Sequence, residues 1–187
     1  VSEQPLHTHI FPVSYLKHLP TYLEEVLSFI EQHLPPLYTH SPSLLFYCKT
    51  ILSELLTNTI KHAEQDATEL LITLYPQYLT IIRRDQCPPL HFSCTAQNTS
   101  LQWPLAASLL NTRHVIYKDD LNVLHLQLTA EGQAIFEAWQ NTGNTFDINT
   151  LHEHYGLLMI TLSSKIFTYL YDAGTQQNIF TATVEYQ

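Results

Sequence analysis

The residues best equipped for chemistry lie in one run, Ser53-Glu54-Leu55-Leu56-Thr57-Asn58-Thr59-Ile60-Lys61-His62-Ala63. On a helix turning about 100° per residue from Glu54, Asn58 falls near ~40°, Lys61 near ~−20° and His62 near ~80°. An acid, an amide, an amine and an imidazole therefore share one face. Leu45, Cys48, Leu52, Leu55, Leu56, Thr59 and Ala63 fall between about 100° and 200° and make an apolar face. An amide oxygen can bind a hard cation, and a carboxylate one turn away can act as general base, so Asn58 and Glu54 suit phosphoryl transfer. The same polar face would equally serve as a solvated helix surface.

The elements that must position this face follow from pattern. Ser41 is an N-cap and Pro42 fits the first helical position, so the helix is predicted over about 42–64. An earlier helix is expected over about 22–34, from Leu23, Val26, Leu27, Ile30 and Leu34 at helical spacing, with Pro35-Pro36 ending it. Residues 1–10 read as a lead-in or first strand. Two strands follow at 68–75 and 78–84, joined by a turn at Pro76-Gln77; Asp85 ends the second, and Pro88-Pro89 stops its continuation. Between 90 and 150 we expect a short helix near 103–110, a hairpin of 114–118 with 123–128, a helix from about 129 to 139, and a mobile polar loop at 140–150. A helix at 156–165 and a closing hairpin of 167–171 with 179–186 complete the chain. This order implies an α+β fold, a two-layer α/β sandwich with helices on one face of a mixed sheet.

At 187 residues the chain is read as a single domain, 1–187, with an atypical insert at about 95–145. Apolar residues make up 45% and charged ones 13%, a globular balance rather than a disordered one. The formal charge of −9 argues against a general nucleic-acid or anionic-membrane binder, although Arg83-Arg84 could form a local patch for a small phosphate. Cys48, Cys87 and Cys94 show no paired spacing and read as reduced thiols. His7-Thr8-His9 and His152-Glu153-His154 lack the partners that a four-ligand zinc site needs. No apolar run approaches the ~20 residues that span a bilayer, and no secretory signal is read, so the expected location is cytoplasmic.

The string Glu54-Leu55-Leu56-Thr57-Asn58-Thr59-Ile60-Lys61-His62-Ala63 resembles the asparagine box of the histidine-kinase-like ATPases, which share the Bergerat ATP-binding fold. With a short helix before the box and no dimerisation hairpin, the chain looks closest to anti-sigma-factor serine kinases. The resemblance implies ATP and Mg2+ as cofactors. It implies Asn58 as the magnesium ligand, Glu54 as catalytic base, and Lys61 and His62 near the phosphates or adenine. Asp85, at a strand end, would accept from the adenine amino group. Gly156 and Leu157, in His154-Tyr155-Gly156-Leu157-Leu158, would match the glycine box whose amides meet phosphate. The partner implied is a sigma factor or an anti-sigma antagonist, phosphorylated or sequestered, and homodimers occur among such relatives.

The chain departs from the pattern in its glycine-dependent loops: Tyr155 stands where the glycine box prefers a small or polar residue, and Gln177-Asn178-Ile179-Phe180 keeps the aromatic of the last strand's motif without its glycine and threonine. Gln86-Cys87-Pro88-Pro89-Leu90 follows Asp85 without the two glycines of the adenine loop, and all four glycines lie beyond residue 130. A second expectation therefore stands beside the first: a nucleotide-free interaction module that uses the same scaffold as a partner-binding platform.

Overall fold

A computed structural model describes residues 4–13, 19–39, 41–62, 68–94, 99–140 and 154–186. Helix α1 runs Leu19–His33 and α2 runs Pro42–His62. The Ser41 hydroxyl accepts from the Leu44 amide (3.4 Å), the capping bond that its position before Pro42 predicts. Strand β1 is His7–Val13, β2 Thr68–Leu74 and β3 Tyr78–Asp85. A small hairpin follows, β4 His91–Cys94 with β5 Thr99–Gln102, which the sequence pattern did not reveal. Then come β6 Arg113–Lys118, β7 Asn122–Leu128 and β8 Ala134–Gln140; helix α3 at Tyr155–Ser163; and β9 Ile166–Asp172 with β10 Gln177–Glu185.

The expected two-layer α/β sandwich on a mixed sheet is overturned. The described chain is mostly strand with only three α-helices, and eight strands form one sheet in the order β1-β2-β3-β10-β9-β8-β7-β6. Every strand pair in it is antiparallel. The reason lies in the region read as an insert: it supplies β6, β7 and β8, which extend the sheet beyond β9. Its predicted helices fail for local reasons. Gly132 takes φ +79 inside a turn in which Thr129 N donates to Gln133 O, so the chain reverses there. After it, Ala134 and Phe136 are buried while Ile135 and Glu137 are half-buried, the two-residue period of a strand. Around 103–110 only a 3-10 turn forms, at Ala107–Leu109. The expected loop at 140–150 lies, beyond Gln140, outside the described residues.

One buried cluster unites alternate residues of the strands with the apolar stripe of α2, Leu44, Cys48, Ile51, Leu52, Leu55 and Leu56. No helix among the described residues is long and apolar enough to cross a membrane. The cluster includes little that titrates near neutrality, but His114 on β6 is buried beside it, its Nε2 2.8 Å from Thr112 Oγ1. Burial lowers the His114 pKa below its ordinary value. The folded state thus takes up this proton less readily than the unfolded chain does. The stability this contributes is complete above about pH 6.5, the unfolded value, and is lost as pH falls from there toward the folded one. Urea unfolding between about pH 7.5 and about pH 5 should show that loss, with a shallower pH slope in His114→Gln.

Candidate functional site

Helix α2 presents Glu54 and Asn58 half-buried, one turn apart. Far along the chain, Gly156 is the second residue of α3, entered through His154 in the left-handed region (φ 74). These stretches meet. A Cβ on Gly156 would stand 2.5 Å from Glu54 Oε2, 3.4 Å from Glu54 Cδ and 3.8 Å from Asn58 Nδ2. Only a residue without a side chain lets α3 start this close to the Glu54 carboxylate. Leu157, next in line, is buried in the core. Lys61 and His62 belong to the last turn of α2, and their side chains lie outside the described residues.

Asp85 ends β3 with its side chain fully buried. Its Oδ1 accepts from the Cys87 amide (3.1 Å) and from Asn178 Nδ2 (2.8 Å), and Asn178 Nδ2 also reaches Cys87 O at 2.7 Å. Its Oδ2 lies 2.6 Å from Arg83 Nη2. The two form a buried ion pair. Arg83 Nη1 donates to Leu55 O (2.8 Å), and the guanidinium sits 4.2 Å over the Phe180 ring. Burial lowers the Arg83 pKa, opposed by the adjacent Asp85 charge. Arg83 and Arg84 do not make a joint basic patch, because strand alternation turns Arg83 to the core and leaves Arg84 half-exposed on the other side.

The network continues outward. Tyr169 OH donates to Asn178 Oδ1 (2.7 Å) and accepts from the Leu90 amide (3.1 Å). Trp103 meets Tyr169 edge-on at 5.0 Å, and Phe92 meets His154 at 4.9 Å, so the β4–β5 hairpin lies against β9 and the start of α3. Sequence reasoning found Asp85 but missed Arg83, Asn178 and Tyr169 as its surroundings. The available signal was strand parity: residues 83 and 85 share a side, and an arginine on the buried side requires a counter-charge.

A cavity of about 300 Å³ opens between β1 and α1, lined by His9, Phe11, Glu25, Ser28, Phe29 and Gln32. It shares no lining residue with Glu54, Asn58, Asp85 or Gly156. Among the described residues no three His, Cys, Asp or Glu side chains converge, so a cation at Glu54 and Asn58 would draw further ligands from a bound molecule or water. No protein-family model matches this chain, and no curated protein matches it.

Two substitutions probe this arrangement. Arg83→Met leaves Asp85 buried without its cation and is expected to cost about 3–5 kcal/mol in urea unfolding, with much of it recovered in the Arg83→Met/Asp85→Leu double variant. Gly156→Ala forces the Glu54 carboxylate aside. In a double-mutant cycle with Glu54→Ala, the two changes should couple by about 0.5–3 kcal/mol, and additive effects would refute the contact.

Proposed function

We propose that Glu54, Asn58 and Gly156 form the phosphate end of a Mg-ATP site. On this reading the chain is a cytoplasmic regulator resembling anti-sigma-factor serine kinases, which phosphorylates or sequesters a protein partner. One observation supports it above the others: a glycine far along the chain brings the start of α3 against both Glu54 and Asn58, at a distance that a Cβ would contest. The donor set is chemically apt. An amide oxygen and a carboxylate are hard ligands of the kind magnesium takes when phosphates complete its shell. Asn58 would hold the ion, Glu54 would accept the proton of an attacking hydroxyl, and the first amides of α3 beside Gly156 would face phosphate oxygens. A bound magnesium ion would supply neutralisation of phosphate charge.

A second reading has its own observation. The Asp85 carboxylate is fully buried and engaged by Arg83, Asn178 and the Cys87 amide, which occupies the acceptor that an adenine amino group would need. This favours a nucleotide-free interaction module. Titration calorimetry with ATP and Mg2+ separates the two. The first expects saturable heat at high micromolar nucleotide that disappears in Asn58→Ala while circular dichroism is unchanged. No heat from the folded protein would exclude it and leave the second.

A further inference from the structure

Among the described residues, β3, β9 and β10 send alternate side chains to the core and to an opposite, open side. One register line on that open side runs Ile10, Leu71, Ile82, Thr181, Thr168, Ile135, from β1 across to β8. Neither these aliphatic residues nor Ile179 and Leu170 in the next line belong to the core cluster or pack against it. A sheet side meant for water ordinarily carries charged and polar residues in alternation with the buried ones. Here the outward positions of the central strands are mainly isoleucine, leucine and threonine.

The open side is also balanced in charge, in a chain whose formal charge is −9. Glu69 stands opposite Arg84, Glu137 lies 2.6 Å from Arg113, and Glu185 lies 3.4 Å from Lys165. Two copies that repel elsewhere can therefore approach here. Both sheet edges oppose side-by-side joining. β1 carries an exposed Pro12, and β6 is bulged between Val115 and Tyr117. Near one end Trp139 is 53% exposed, with the Arg113 guanidinium 4.2 Å over its ring, a pairing typical of interface anchors.

We propose that this open side is a homodimer interface, on which a second copy of the chain stacks the same side of its own sheet. Eight strands about 4.8 Å apart and about seven residues long cover roughly 800 Å². That matches the roughly 800 Å² per partner of a standard stable interface. The arrangement is isologous, so equivalent rows meet about a two-fold axis, with the sheets crossing at the shallow angle of aligned packing. β10 and β9 are the middle strands of the eight, which places Thr181 close to its own counterpart across the axis. This pairing does not depend on the nucleotide reading, and its test contains no nucleotide.

Sedimentation equilibrium of the full chain should give twice the 21.6 kDa chain mass at micromolar concentration. Thr181→Arg, with circular dichroism unchanged, should sediment as a monomer, whereas Leu162→Arg, an exposed change on α3, should remain dimeric. Should Thr181→Arg fail to fold, Thr181→Cys decides: mild oxidation is expected to cross-link it to a dimer on a non-reducing gel. A wild-type monomer at about 100 μM, far above the dissociation constants usual for interfaces of this area, would overturn the proposal. So would a folded, still dimeric Thr181→Arg, or a Thr181→Cys that does not cross-link.

Discussion

Arg83 brings a positive charge into the interior, and much of the surrounding architecture exists to accommodate it. Its counter-charge, Asp85, sits two residues along the same strand, on the same side. A buried pair of this kind holds only if neighbouring dipoles satisfy what the two ions leave over. The Leu55 carbonyl, the Asn178 amide and the Cys87 amide contribute such dipoles, and they come from α2, β10 and the turn after β3. The ion pair thereby ties the helix that carries Glu54 to the centre of the sheet. It also commits the carboxylate at the end of β3 to a structural task.

That commitment separates the two halves of the candidate site. On the side of α2 and α3, Glu54 and Asn58 lie against the start of α3, an approach made possible because residue 156 has no side chain. Around Asp85, the carboxylate is engaged by Arg83, Asn178 and the Cys87 amide, and Phe92 and Trp103 lie against the neighbouring helix start and strand. Proline at positions 88 and 89 follows the Cys87 amide that donates to Asp85, and neither proline has an amide proton to offer a ligand.

Local pattern was a good guide where one element's own periodicity decided its form. Helix α2, its Ser41 cap, the β2–β3 hairpin at Pro76-Gln77 and the closing β9–β10 hairpin all appear where spacing and turn residues place them. It failed at 129–139, where alanine and glutamate favour a helix over a short window. Pairing with β7 and β9 overrides that preference, and Gly132 reverses the chain before a helix can start. The β4–β5 hairpin escaped for a related reason: its strands span only four residues each, too short for a period to stand out.

The sequence by itself determined which residues could share a helix face, where that helix begins, and that Glu54 and Asn58 lie one turn apart. These are properties of spacing along one element, and neighbouring residues suffice to set them. Only the tertiary structure decided that the sheet is wholly antiparallel and eight strands wide, that Gly156 closes on Glu54, and that Asp85 is engaged by Arg83 and Asn178. Each depends on pairing across a long stretch of chain, β3 with β10 above all. Such pairing is selected by the burial of a whole sheet side, which no single window of residues encodes.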